Sequence, residues 1–168
     1  MKILIISPSW IGDTIISHSL YRLLIKKYAS NIKIDVITPT WCKDLFNHIP
    51  EVNRTLFTPY EHGVLELPKC YRLIKFLKKE KYQQAIILPN SFKSALIPFF
   101  ADIPIRTGWR GEMRYGVLND LRILDKTLLP LMVQRYAALA YDHNTIKQFF
   151  NLPNPLPWPQ LDIKKKKS

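Results

Sequence analysis

The sequence predicts an α/β fold, a parallel sheet with helices on both faces. Two observations carry this. Short apolar runs rich in isoleucine alternate with stretches of helical periodicity along most of the 168 residues. Those runs are apolar throughout instead of alternating with polar residues, the pattern of strands covered on both sides.

The elements follow in order. Lys2 to Ser7 reads as a buried strand closed by Pro8. Residues from Gly12 to Tyr28 read as a helix, with Ile15, Ile16, Leu20, Leu23 and Leu24 on one face and Arg22, Lys26 and Lys27 on the other. Ile32 to Thr38 is a second strand ended by Pro39, followed by a short helix over Cys42 to Asn47. Val52 to Phe57 is a third strand, and Leu67 to Lys79 an amphipathic helix with a lysine-rich wet face. Gln84 to Leu88 is a fourth strand stopped by Pro89, Ser91 to Phe100 a helix, and Ile103 to Thr107 a fifth strand. Trp109 to Asn119 mixes glycine, arginine and aromatics and reads as a loop. Leu128 to Asp142 reads as a helix. Asn151 to Gln160, with Pro153, Pro155, Pro157 and Pro159, reads as an extended connector, and Lys164 to Lys167 as a solvated tail or a weak membrane-surface tether.

An apolar fraction of 47% with 23% charged residues supports a packed core and excludes a disordered chain. The length fits one ordinary domain. A net charge of +12 predicts attraction to anions without choosing among nucleic acid, an anionic membrane and a phosphorylated substrate. Cys42 and Cys70 stand in no CxxC pattern and read as buried or incidental free thiols. No apolar run is long enough to span a bilayer or to serve as a leader, so a soluble cytoplasmic protein is expected.

In parallel sheets ligands sit at the carboxyl ends of strands, so the loops to examine are those after Ile6, Thr38, Leu88 and Thr107, and three of them carry candidate residues. In Ser7-Pro8-Ser9-Trp10-Ile11-Gly12-Asp13, Asp13 is either a first-turn helix residue worth about 1 kcal/mol or a general base accepting a proton from a substrate hydroxyl. In the second case Ser9 and Trp10 line the same cleft. The glycines of a GxGxxG fingerprint are missing, and there is no Walker A sequence. In Pro89-Asn90-Ser91-Phe92-Lys93-Ser94, Asn90 or Ser91 suits a helix N-cap. Lys93 in the first turn opposes the helix dipole, as a cation facing an anion would. The third loop, Arg106-Thr107-Gly108-Trp109-Arg110-Gly111-Glu112-Met113-Arg114-Tyr115-Gly116, interleaves arginines with aromatics. Arginine forks suit phosphate and carboxylate, and aromatic faces suit sugars or bases; the alternatives are solvated surface arginines or an RNA-binding loop. His18, His48, His62 and His143 show no metal spacing. His18 reads as an ordinary helix histidine that could approach the cleft, and Glu61-His62-Gly63 as a surface loop.

Three blocks, Lys2 to Asp13, Pro89 to Ala95 and Arg106 to Tyr115, together resemble the ADP-heptose:lipopolysaccharide heptosyltransferases of glycosyltransferase family 9. The last two are most similar to the type II branch, and the resemblance runs from Met1 to about Leu161. It implies the GT-B plan, in which two Rossmann-like domains face each other across a cleft. The N-terminal one holds the lipid-linked acceptor and the other most of the ADP-heptose site. It implies transfer of heptose to a heptosylated Kdo2–lipid A acceptor with inversion, in inner-core lipopolysaccharide biosynthesis. Asp13 would be the catalytic base, and Ser9, Trp10, Lys93, Arg106, Arg110 and Arg114 would meet the anionic acceptor. ADP-heptose is then the donor substrate, with no cofactor and no metal expected.

On this reading residues 1–150 form the acceptor-side Rossmann-like domain and 151–168 a proline-rich connector and lysine-rich tail. The donor-binding domain is absent, and the chain is expected to be a truncated half, inactive alone because orientation of both substrates supplies most of the rate. Its expected partners are the lipopolysaccharide inner core, a separate C-terminal domain and, peripherally, the inner face of the cytoplasmic membrane. The alternatives are a stand-alone module binding anionic glycolipid and, less favoured, a nucleic-acid-binding protein with steep salt dependence.

Overall fold

The structure, a computed structural model, describes residues 1–61, 64–142 and 152–162. His62, Gly63, His143 and the Lys164 to Lys167 tail lie outside the described residues.

Six strands form one parallel sheet. In chain order they are β1 (Lys2–Ile6), β2 (Lys33–Thr38), β3 (Val52–Phe57), then, after a small antiparallel pair of β4 (Tyr60–Glu61) and β5 (Val64–Leu65), β6 (Gln84–Ile87), β7 (Ile105–Trp109) and β8 (Asp120–Arg122). The order across the sheet is β3-β2-β1-β6-β7-β8. The chain moves outward from β1 to β3, crosses back, and moves outward again from β6 to β8. The direction therefore reverses between β1 and β6, where a crevice opens beyond the carboxyl ends of doubly wound strands.

Each face has its own core. From β1, Ile3 and Ile5 point to one face and Leu4 and Ile6 to the other, and the first three of these side chains are wholly buried. Burying each contributes about 1.5–3 kcal/mol, which is why the strand is apolar from Ile3 to Ile6. The first face is covered by α2 (His18–Tyr28), through Leu20, Tyr21, Leu23 and Leu24, and by α6 (Met132–Ala138), through Tyr136 and Ala137. The second is covered by α4 (Leu67–Glu80), through Leu77, and α5 (Phe92–Phe100), through Ala95 and Ile97. On this second face a buried carboxylate, Asp35, is fully partnered. It accepts from Asn53 Nδ2 at 2.7 Å, Arg54 Nη2 at 2.8 Å and the Tyr82 hydroxyl at 2.5 Å.

Several boundaries differ from the sequence expectation. The helix expected over 12–28 is two helices, α1 (Ile11–Ile16) and α2, meeting at Ser17. Here the Ser17 hydroxyl donates to the Thr14 carbonyl at 2.7 Å, and the Thr14 hydroxyl to the Trp10 carbonyl at 2.9 Å. Such back-bonding competes with the helix ladder and bends it. The short helix after β2 is a 3-10 turn over Thr40–Cys42 running into α3 (Lys43–Phe46). The fifth apolar strand begins at Ile105 instead of Ile103 because Pro104 has no N–H for the ladder. It runs on to Trp109, whose indole N–H donates to the Arg135 carbonyl at 3.1 Å. Strand β8 and the β4–β5 pair, too short to carry an apolar pattern, were not expected. The last helix is α6, shorter than 128–142; it starts beyond Pro130, where the Gln134 side chain accepts the Leu131 N–H at 2.9 Å.

The proline-rich segment is extended and docked on the domain. Ser19 Oγ donates to Pro157 O and Arg22 Nη1 to Trp158 O, both at 2.7 Å. The Gln160 N–H donates to His18 Nδ1 at 3.2 Å and the Asp162 N–H to His48 O at 2.9 Å. Leu152 and Leu156 pack against the first core. No helix among the described residues is long and apolar enough to cross a membrane.

Candidate active site

A cleft opens at the β1/β6 reversal, on the α5 face of the sheet. Its floor is Ile6, Ile37 and Ile97, and its walls include Ser7, Ser9, Pro39, Trp41, Thr58, Pro89, Ser91 and Lys93. The loop after β1 is shaped by its own polar groups. The Ser7 hydroxyl donates to Thr38 Oγ1 at 2.8 Å, fastening the end of β1 to the end of β2. The Trp41 indole N–H donates to the Ser9 carbonyl at 3.0 Å. Trp41 therefore stands beside Ser9 with its ring half exposed.

Ser9 and Lys93 are thus brought together on the cleft walls. Trp10 and Asp13 are not among its lining. Trp10 is 77% exposed. Asp13 sits in the first turn of α1, which leads into α2 and so turns toward the opposite face of the sheet. It is half-buried, and among the described residues its carboxylate accepts no hydrogen bond and pairs with no cation. Its charge is felt by the Tyr136 phenol on α6, whose pKa is pushed up by burial first and by the Asp13 charge second. A half-buried carboxylate with no partner, in the first turn of the helix that follows a central strand, leaves its oxygens open to a donor from a ligand.

The other two loops are bolted to each other. Arg114 is 1% exposed. Its guanidinium donates to Pro89 O at 2.7 Å, to Asn90 Oδ1 at 3.4 Å and to the Trp109 carbonyl, while its Nε finds no partner. Burial pushes its pKa down. The Glu112 N–H donates to Asn90 O at 3.1 Å, and the Glu112 carboxylate accepts the Phe92 N–H at 2.8 Å, so this carboxylate is the anion at the start of α5. Gly111 lies so close that an added Cβ would fall 2.4 Å from Asn90 O.

These contacts correct two expectations. Arg114 is a buried brace between loops, with both Nη atoms donating to oxygens of those loops, and has no exposed face to offer an acceptor. Arg106 lies at the amino-terminal end of β7, away from the cleft. Its Nε donates to Val117 O and its Nη1 to Ile103 O, both at 2.6 Å, and it stacks over Phe99. Arg110 remains exposed just beyond β7, with Met113 and Tyr115 exposed further along the loop. Because Arg114 and Trp109 are buried, the loop does not present the interleaved arginine–aromatic surface that an RNA-binding reading requires.

His18 is turned away from the cleft. It is wholly buried, with Nε2 at 2.7 Å from Glu51 Oε2 and Nδ1 receiving the Gln160 N–H. Cys42 and Cys70 are free and buried. Sequence reasoning missed Trp41 and Glu112. A signal for Trp41 was present: a lone tryptophan two residues after Pro39, which stops a strand, sits at the carboxyl end of the sheet.

The sequence profile of glycosyltransferase family 9 (heptosyltransferase) matches residues 70–168. The chain is 56% identical over 163 residues to lipopolysaccharide heptosyltransferase 2 of Salmonella typhimurium, covering 97% of this chain and 47% of that protein. It is 55% identical, with the same coverage, to the Escherichia coli protein of the same name. The solved E. coli ADP-heptose lps heptosyltransferase II superposes with a TM-score of 0.87 at 51% identity, covering 98% of this chain and 47% of that one. An E. coli heptosyltransferase solved with ADP shares the fold at a TM-score of 0.62 and 18% identity, over 83% of this chain and 46% of that one. This chain spans about half the length of these relatives. It belongs to glycosyltransferase family 9, the heptosyltransferases.

Proposed function

We propose that this chain forms the acceptor side of a heptosyl transfer from ADP-heptose to a heptosylated Kdo2–lipid A acceptor. The observation that carries this reading is the unpartnered Asp13 carboxylate in the first turn of α1, the helix that follows β1, in a chain more than half identical to proteins named lipopolysaccharide heptosyltransferase 2.

Asp13 takes the proton of the acceptor hydroxyl as its oxygen attacks the anomeric carbon of the donor heptose. The new C–O bond forms while the bond to the diphosphate breaks, ADP leaves with the electron pair, and the carbon inverts. Ser9 and Lys93 hold the acceptor at the cleft, and exposed Arg110 extends the basic surface toward its anionic groups. The donor is held by the length of a full relative that this chain does not span. ADP-heptose is a substrate, and no cofactor takes part. The chain works on the cytoplasmic side, at the membrane periphery where a lipid-linked acceptor would lie.

The test mixes the chain with the remaining part of a full-length relative, ADP-heptose and a heptosylated inner-core acceptor. Transfer is expected, falling about 10²–10⁴-fold in Asp13→Ala. Transfer unchanged by that substitution refutes the general-base role.

A further inference from the structure

The cleft wall contains one large aromatic face that no expectation assigned. Trp41 follows β2, and Lys93 follows β6. In the sheet β2 and β6 flank β1, so the indole, from the turn after β2, and the ammonium, from the first turn of α5 after β6, rise on either side of the loop that carries Ser9. The indole is 54% exposed, yet it is fixed by its own hydrogen bond to Ser9 O. A large side chain left half in water gains nothing for the core. Tethered by its one polar atom, it offers a rigid apolar plane that loses little entropy on binding.

The chemistry around that plane narrows the ligand. The floor is aliphatic, the walls carry the hydroxyl residues Ser9 and Ser91, and Lys93 is the cation on the wall. An apolar plane suits the C–H face of a pyranose ring. Hydroxyl-bearing walls suit the ring's own hydroxyls, and an ammonium suits an anionic substituent on it. A nucleotide fits less well, because Glu112 already places a carboxylate at the start of α5, where a diphosphate would otherwise find backbone N–H groups.

Resting on the function proposed above, the geometry points to Trp41 as the platform on which one sugar ring of the acceptor stacks, with Lys93 holding that ring's phosphate or carboxylate. Trp41 thereby becomes a specificity-determining residue for the acceptor, while Trp10, outside the cleft, does not.

Binding to the whole chain tests this without any donor. The probes are a delipidated, heptosylated inner-core oligosaccharide, the same oligosaccharide after dephosphorylation, and ADP-heptose. Calorimetry is expected to show the phosphorylated oligosaccharide bound about tenfold more weakly by Trp41→Leu, the scale of one lost aromatic contact. Trp10→Leu should bind nearly as the parent does, and Trp41→Phe, which keeps an aromatic face but loses the tether to Ser9, should fall between the parent and Trp41→Leu. Lys93→Gln should erase most of the preference for the phosphorylated probe.

A second measurement does not depend on those variants folding. In a chain carrying Trp10→Phe and Trp158→Phe, Trp41 is the exposed tryptophan and Trp109 is buried. The oligosaccharide should then protect the emission from acrylamide quenching, and ADP-heptose should not. Equal affinity in Trp41→Leu, absent protection, or protection by ADP-heptose instead overturns the inference. If the oligosaccharide binds through Trp41 but the reconstituted enzyme transfers nothing, the function proposed above fails and this site stands. If the parent chain binds no oligosaccharide, both fall.

Discussion

The guanidinium of Arg114 donates to the carbonyl of Pro89 at 2.7 Å, joining the loop after β7 to the loop after β6 from inside the protein. Arg114→Ala strands Pro89 O, Asn90 Oδ1 and the Trp109 carbonyl and leaves a void. We expect a loss of about 2–4 kcal/mol in urea unfolding. Arg114→Lys recovers only part of it, because an ammonium cannot reproduce the planar fork. A loss under about 0.5 kcal/mol for Arg114→Ala, the scale of an ordinary surface substitution, returns the residue to the surface.

Glycine substitutions should separate the loops. At Gly111 an added Cβ would meet Asn90 O at 2.4 Å and Asn90 Cβ at 2.8 Å, so the two braced loops must part. Gly111→Ala is expected to cost about 1–3 kcal/mol. At Gly12, inside α1, nothing lies within 4 Å. There Gly12→Ala should stabilise by about 0.5–1 kcal/mol, because alanine loses less backbone freedom in a helix. Thermal melts of the two variants should move in opposite directions.

The hydroxyl of Tyr82 donates to the buried Asp35 carboxylate, a charge-assisted bond. Tyr82→Phe keeps the ring and removes that one donor. Equilibrium unfolding should report a loss of about 1.5–3 kcal/mol, with no change in oligosaccharide binding, since this cluster is not part of the cleft.

Glu51 gives a pH dependence of known sign. Burial acts to raise its pKa, but the hydrogen bond and charge of His18, helped by Arg22, outweigh burial and hold it below its ordinary value of 4.5. A depressed folded pKa stabilises the protein above the unfolded pKa, and that contribution is lost as pH falls through the folded one. The parent should therefore be more stable than Glu51→Gln at neutral pH, with the gap narrowing below about pH 4.5. A gap that widens on acidification reverses the assignment.

How much of this was legible depended on what each residue must do. Strands β1, β2 and β6 are covered on both faces, so apolar residues dominate them, with Asp35 the partnered exception inside β2, and the sequence shows them plainly. Strand β8 is three residues long and includes Arg122, which is buried only because it pairs with Asp120 at 2.7 Å and reaches the Ala138 carbonyl. No local pattern announces such a strand. The three loops were legible as a set, since strand ends and residue types mark them. Which arginine faces outward was not. Arg110 and Arg114 are alike in sequence, and only the approach of Asn90 to Gly111 decides that the second points inward. Trp41 was missed because its role comes from a neighbour thirty-two positions away, Ser9.

The proline-rich segment is gripped through its main chain: the carbonyls of Pro157 and Trp158 and the N–H groups of Gln160 and Asp162. The partners on the domain side, Ser19, Arg22 and His18, contribute side chains, and His48 its carbonyl. Recognition of this kind reads shape and direction, not residue identity. The stretch from Pro157 to Asp162 is therefore free to vary, while Leu152 and Leu156, which pack against the first core, and the surface that receives the segment are not. Randomising Trp158, Gln160 and Leu161 should be tolerated far better than randomising His18, Ser19 and Arg22, an asymmetry that a selection for folded protein would expose as a silent strap over a restricted seat.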